Sequence, residues 1–276
     1  MDHFKDKVAI VTGGGSGIGQ AVSEELGRRG SGIVVADINE VCARQVASAI
    51  AARGGQARAA YIDVSNEAEV KQLIDATASE YGHLDYMFNN AGIAIAGDAR
   101  DLTLEQWRRV IDVDLFGVLY GTLTAYHVMV KQGFGHIVNT ASLAGLTPYP
   151  TNAPYSTSKH AVVGLSLSLR FEAADLGVKV SVVCPGYVRT NIYQAATIVN
   201  VPREQVMAQN TQLPFKMMEV SPAARAILRG VERNDAIIVF PGHAIWLWRL
   251  SRLDPGLLNS LGFKIVRDFR KIRISA

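Results

Sequence analysis

Cysteine is nearly missing from this chain: Cys42 and Cys184 are the two among 276 residues. Two thiols so far apart make no disulfide framework, which suits a reducing cytosol, and neither has neighbours that make it a metal ligand or nucleophile. The six histidines show no ligand spacing, so no metal is expected. No apolar run reaches the ~20 residues that crossing a bilayer takes. The charged start MDHFKDK runs straight into the first apolar stretch, unlike a secretory leader. A net charge of only +3, with no recognition motif, argues against nucleic acid. Linkers, repeats and low-complexity tracts are absent too, and Pro and Gly are scattered as turn punctuation. What remains is a chain with the composition of a cytoplasmic protein, 49% hydrophobic and long enough to bury one large core.

YSTSK (155–159) sets Tyr155 and Lys159 four residues apart, one above the other on a helix face. A free phenol titrates near pH ~10, and a close ammonium favours its anion. A tyrosine tuned in this way can exchange a proton with an alcohol or ketone oxygen near neutral pH. Alone, the pair also fits a half-exposed helix beside a solvated lysine. TGGGSGIG (12–19) follows the apolar run Val8–Val11 and opens a helical pattern of Ile18, Val22 and Leu26 that Gly30 closes. A glycine turn between strand and helix lets backbone N–H groups and the positive end of the helix meet a pyrophosphate. The next strand ends at Asp37, eighteen residues beyond Gly19, where a carboxylate can accept from an adenosine ribose and repel a 2′-phosphate. No basic residue stands at Ser16 or Ile38 to receive that phosphate, so the expected cofactor is NAD.

Strands are predicted near 8–11, 33–36, 59–62, 84–88, 136–140, 178–184 and 236–240, with helices between them. Thr103 with Gln106 reads as a capping box, and Ser221-Pro222 as a helix start. This alternation predicts an α/β fold, a doubly wound parallel sheet of about seven strands with helices on both faces. Ligands of such sheets lie beyond the carboxyl ends of the strands, where the motifs fall. The expected organisation is one domain over 1–240, extended by 241–276.

With these pieces in order, the chain resembles the short-chain dehydrogenase/reductase family from Lys7 to about Phe240. TGGGSGIG is similar to its cofactor loop, Asp63-Val64 to the pair beside the adenine, and NNAG (89–92) to the segment that supports the central sheet. Ser142 in NTASLAG matches its substrate-orienting serine, Tyr155 and Lys159 its catalytic pair, and PGYVRT (185–190) the stretch over the nicotinamide. The resemblance implies cofactor contacts from Gly13, Ser16, Gly17, Ile18, Gly19, Asp37, Asp63 and Val64. It implies further contacts from Asn90, Ala91, Gly92, Tyr155, Lys159, Pro185, Gly186, Val188 and Thr190. It also implies that Tyr155 exchanges the proton, that Lys159 lowers the phenol pKa and holds ribose hydroxyls, and that Ser142 binds the substrate oxygen. Asp114, in IDVDLFG, stands where the family usually carries an asparagine that holds a relay water. An aspartate accepts only, and its charge acts on the neighbouring lysine.

Between Tyr187 and Val220 the segment that usually covers the substrate carries Ile192, Tyr193, Ile198, Val199, Val206, Met207, Leu213, Phe215, Met217 and Met218. Flexible methionines and aliphatics predict an adaptable apolar pocket for a lipophilic alcohol or ketone, of steroid, retinoid, terpenoid or fatty type. The same residues also fit packing of this segment on the body or on another subunit. The extension 241–276 holds seven Lys/Arg against Asp254 and Asp268, a charge of +5 that leaves −2 for the rest. With Trp246, Trp248 and an apolar stripe from Leu258 to Ile272, it reads either as a surface for anionic lipid or as a helix docked on the body or a partner subunit. The family's habit of pairing its long helices implies a homodimer or homotetramer. Two other functions stay open: a dinucleotide-binding sensor or scaffold without turnover, and an epimerase or dehydratase on the same fold.

Overall fold

The computed structural model describes residues 2–206 and 216–274. Strands β1 (Val8–Thr12), β2 (Gly32–Asp37), β3 (Gln56–Tyr61), β4 (Tyr86–Asn89), β6 (Gly135–Thr140), β7 (Val178–Pro185) and β9 (Ile237–Phe240) pair in parallel. Their order is β3-β2-β1-β4-β6-β7-β9, the doubly wound sheet that the alternation predicted. Successive residues of a strand point to opposite faces, and both faces of the central strands are covered, so β1, β2 and β4 are buried almost throughout. Ala9, Val11, Ile33 and Val35 face helices α1 (Gly17–Arg28), α2 (Glu40–Ala52) and the helix Val220–Glu232. Val8, Ile10 and Val34 face the other side, with α3 (Glu67–Tyr81), α5 (Gly117–Gln132) and α6 (Ala153–Ala173).

Local signals place the helix starts. Asn39 and Asn66 accept from N–H groups in the first turns of α2 and α3. Thr103 and Gln106 form the expected capping box of α4 (Leu104–Ile111). The helix after Glu219 starts at Val220, one residue before Ser221, which leaves Pro222 in its first turn. Between α4 and α5, residues Asp112–Phe116 form a π-helical turn, a widening often met at functional sites. The whole run Leu104–Gln132 is long and apolar enough to cross a membrane by composition, contrary to the sequence expectation. Within it α5 lies against β4 and β6, with Ala125 and Met129 in the core.

A second, two-stranded parallel ladder of β5 (Ile95–Ala96) and β8 (Thr197–Ile198) was not expected. Strands of two residues carry too little periodicity to read. The extension is docked on the body. Its helix Gly242–Leu253 buries Ala244 against Gly186, where an added Cβ would lie 2.8 Å from the alanine methyl. Its last helix, Asn259–Lys271, buries Phe269. The Ile274 N–H then donates to the Asn200 carbonyl at 2.8 Å.

Candidate functional site

The carboxyl ends of β1, β2, β4, β6 and β7 open into one cleft of about 1370 Å³. That exceeds the roughly 300–1,000 Å³ usual for a single small ligand, so there is room for a cofactor and a substrate together.

One arm of the cleft is built by the glycine turn. Gly13 and Gly17 take φ of 62° and 55°, the left-handed region that glycine enters without strain. A Cβ on Gly19 would lie 2.1 Å from the Gly13 carbonyl oxygen. Gly19 is therefore a packing glycine and does not line the cleft, whereas Gly13, Ser16, Gly17 and Ile18 do. No side chain caps α1 at Ser16, which leaves its first N–H groups and the helix dipole for an anion. The loop is tied to β4 through Thr12. Its hydroxyl accepts from the Asn90 and Ala91 N–H groups at 3.0 and 3.1 Å and donates to the Phe88 carbonyl at 3.3 Å. The Asn90 side-chain amide donates to the Thr12 carbonyl at 3.1 Å. The sequence reading missed Thr12, whose position before the glycines is its one signal.

Asp37 ends β2 on the cleft wall, as expected. Its carboxylate accepts from the Gly15 and Asn39 N–H groups, both at 2.9 Å, so it also braces the turn. Asp63 is held by the Ser65 N–H and hydroxyl at 2.9 and 2.7 Å. Val64 beside it is buried against Gly117, where a Cβ would fall 2.9 Å from a valine methyl. Opposite, the stretch 185–190 folds onto the turn: a Cβ on Gly17 would sit 3.3 Å from Thr190 Cβ. The Gly186 N–H donates to Phe240 at 2.7 Å, and Met218 exchanges backbone bonds with Tyr187 and Arg189 at 3.0 and 2.8 Å. Pro185, Gly186, Val188 and Thr190 all line the cleft.

At the inner end, α6 carries Tyr155 and Lys159 beneath Ser142, which follows β6. The Ser142 hydroxyl accepts from the Ala144 N–H at 3.1 Å and lines the cleft together with Tyr155 and Lys159. The Lys159 ammonium donates to the Thr140 carbonyl at 3.1 Å and lies 3.2 Å from Asp114 Oδ2, both side chains being buried. Oδ1 of Asp114 accepts from the Ile93 N–H at 2.8 Å. Oδ2 has close ionic contact with the ammonium, but no donor is aimed along its lone pairs. Burial pushes the Asp114 carboxyl up, against the pull of Lys159 and of the Ile93 N–H. Asp114 lies behind the wall of the cleft, against Gly92, Ile93 and Lys159, which line it. Gly92 covers the pair; a Cβ there would be 3.4 Å from Nζ and 3.5 Å from the carboxylate.

The expected lowering of the phenol pKa is corrected by this geometry. Burial pushes Tyr155 well above its ordinary value, the Asp114 charge adds to that, and the Ser142 hydroxyl opposes it. The ammonium lies 5.5 Å from the centre of the Tyr155 ring and faces a carboxylate of opposite charge. Cys184, nearby, is buried and pushed up to about 12, an inert thiol.

The other arm carries apolar and aromatic side chains. Ile192, Tyr193, Ile198 and Val206 line it, as does Tyr149, whose hydroxyl is 3.2 Å from that of Tyr187. Met218 packs instead against the core beneath α1, and Met207, Leu213 and Phe215 lie outside the described residues. Tyr149 and Leu261, Ile265, Phe269 and Ile272 of the last helix were missed as cleft residues. Nothing in their local pattern gives the distance from Tyr155.

The chain matches the short chain dehydrogenase family over residues 7–198. It is 36% identical to "Probable oxidoreductase EphD" of Mycobacterium tuberculosis over 94% of this chain and 45% of that protein, so it spans about half the length of that relative. It is 39% identical to a cyclohexanol dehydrogenase of Acinetobacter over 68% of this chain and 76% of that enzyme. Among solved structures, a short chain dehydrogenase/reductase from Burkholderia phymatum in complex with NAD superposes with a TM-score of 0.84 at 31% identity, covering 93% of this chain and 96% of that one.

Proposed function

Given that the chain belongs to the short-chain dehydrogenase family and is thus an oxidoreductase, we propose that it is an NAD-dependent alcohol dehydrogenase or carbonyl reductase for a lipophilic substrate. The observation that carries this reading is the placing of Ser142, Tyr155 and Lys159 together in a cleft whose other arm is an uncapped glycine turn.

The residues fit a dinucleotide. The free N–H groups of α1 would take the pyrophosphate, Asp37 a ribose hydroxyl, and Lys159 the hydroxyls of the second ribose. When bound, the nicotinamide supplies hydride transfer. Tyr155 takes the alcohol proton in oxidation, or gives it to the carbonyl oxygen in reduction, while Ser142 hydrogen-bonds that same oxygen and stabilises its developing charge. NAD is favoured over NADP because Asp37 is acidic and Ser16 and Ile38 on the rim are uncharged. The apolar substrate arm, and the cyclohexanol dehydrogenase among the relatives, support a lipophilic alcohol. The test is a panel of such alcohols, beginning with cyclohexanol, assayed for NADH formation. The reading fails if none is oxidised and none of the matching ketones is reduced with either NADH or NADPH.

Two partner proposals accompany it. Exposed Phe171 and Leu123 on α6 and α5 fit pairing with a second copy into a dimer or tetramer. Exposed Trp246, Leu253 and Phe263, beside Arg249, Arg252 and Arg267, fit contact with anionic lipid.

A further inference from the structure

The extension lies beyond the matched family region, yet one face of its last helix borders the cleft. Leu261, Ile265, Phe269 and Ile272 recur at helical spacing on that face. Leu261 and Ile265 are 49% and 38% exposed, and both line the cleft. Gly262 lies against Pro150, just before the helix that carries Tyr155: a Cβ there would be 3.6 Å from the proline ring.

Two ion pairs fasten this helix. Arg270 Nε donates to Asp98 Oδ2 at 2.7 Å, and Arg273 holds both Asp101 oxygens, at 2.7 and 2.6 Å. The spacing is matched. Asp98 caps the 3₁₀ turn Ala99–Asp101, in which residues three apart eclipse, so both carboxylates point one way. Arg270 and Arg273, also three apart at the helix end, face them together. The turn follows β5, whose Ala96 lines the same cleft, and the Gly97 N–H is bonded to the Thr151 carbonyl at 2.8 Å. Both aspartates are held below the usual carboxylate range by their arginines, Asp101 at about 2, so the fastening is complete at neutral pH. Asp98 and Asp101 are themselves mostly buried, which makes the pairs less open to screening than ordinary surface bridges.

Resting on the dehydrogenase reading, we propose that the helix Asn259–Lys271 is the outer wall of the substrate chamber, and that Ile265, with the Arg270–Asp98 and Arg273–Asp101 pairs that fix its position, sets the length of apolar alcohol accepted. Small alcohols reacting at Tyr155 do not reach this wall; long ones lie along it.

The experiment compares the full chain, Ile265→Trp and the double variant Arg270→Gln/Arg273→Gln on straight-chain alcohols from butan-1-ol to dodecan-1-ol. Ile265→Trp should lower kcat/KM for dodecan-1-ol at least about tenfold, the order of effect that a filled or emptied methylene site has. Its kcat/KM for butan-1-ol should stay within about twofold. The double variant should raise KM for the long alcohols while leaving kcat and NAD affinity unchanged. Circular dichroism checks the fold, and a thermal shift with dodecan-1-ol gives a readout independent of turnover. If the parent oxidises alcohols and neither variant changes the dependence on length, the wall is refuted and the function stands. If no alcohol is oxidised but dodecan-1-ol raises the parent's Tm and not that of Ile265→Trp, the function fails and the wall stands. A parent with neither turnover nor thermal shift overturns both.

Discussion

Lys159 is paired with Asp114 more closely than with Tyr155: the ammonium and the carboxylate lie 3.2 Å apart with side-chain exposures of 3% and 0%, and the ring centre is 5.5 Å away. Breaking such a buried pair by removing one partner is costly, since the other charge is left in a poorly polarisable site. The aspartate thus holds the lysine in place while its negative charge works against ionisation of the phenol.

Replacing the phenol hydroxyl tests the proton step. Tyr155→Phe should keep the fold and NAD binding while turnover drops at least about a hundredfold, the usual worth of a positioned acid or base. Steady-state rates on any accepted alcohol decide this, and near-parental turnover would exclude Tyr155 from the chemistry.

Asp114→Asn keeps an acceptor for the Ile93 N–H and removes the charge. Because that charge raises the Tyr155 pKa, the limb of the pH–rate profile that reports the phenol should move to lower pH. The raised Asp114 pKa also means that folding stability is lost as pH climbs through the carboxylate range towards its folded value. That loss should be absent in the variant. Parallel melting curves and rate profiles across pH measure both, and an unmoved limb would count against the coupling.

On the proposed function, the charge of Asp37 should set cofactor choice. NAD should bind the parent more tightly than NADP, and Asp37→Ala should narrow the gap. NAD affinity itself should fall about tenfold, since the Gly15 N–H loses a charged acceptor. Fluorescence titration reads this, and tighter NADPH binding by the parent would rule it out.

The outer face of the extension is tested with vesicles. The protein should co-sediment with anionic vesicles at low salt and come off as salt rises, each cation near the surface contributing on the order of 1 kcal/mol. Trp246→Ser/Leu253→Ser, which leaves both arginine–aspartate pairs intact, should sediment less. A parent that stays in the supernatant at every salt concentration would end the proposal.

Assembly is read from mass in solution. Sedimentation should give a dimer or tetramer, and Phe171→Glu, on a side chain 83% exposed, should shift it towards the monomer. A parent that runs as a monomer would show α5 and α6 to be free faces.

Most of the glycine-turn arm of the cleft was legible in the sequence because its signals are local. Gly13 to Gly19, Asp37 and the Tyr155–Lys159 spacing each sit within one strand–turn–helix unit, and the parallel sheet follows from the alternation of strands and helices. What escaped depends on approach across the chain. The resemblance already implied that Asp114 neighbours Lys159, as the structure has it, but the π-helical turn at Asp112–Phe116 that carries the aspartate is announced by no periodicity. The Arg273–Asp101 contact joins residues 172 positions apart, and charge counting read those arginines as a basic surface. β5 and β8 were too short to leave a pattern.

The Thr12 hydroxyl, bonded at once to Asn90, Ala91 and Phe88, has a kinetic consequence. On the proposed function, the mouth that would meet a dinucleotide is assembled before the dinucleotide comes. Encounter then needs no ordering of the turn, so capture should follow one exponential whose rate climbs in proportion to cofactor concentration, with no plateau from a rearranging loop. Thr12→Val removes all three bonds at little change in volume, and a slow, concentration-independent phase should then emerge.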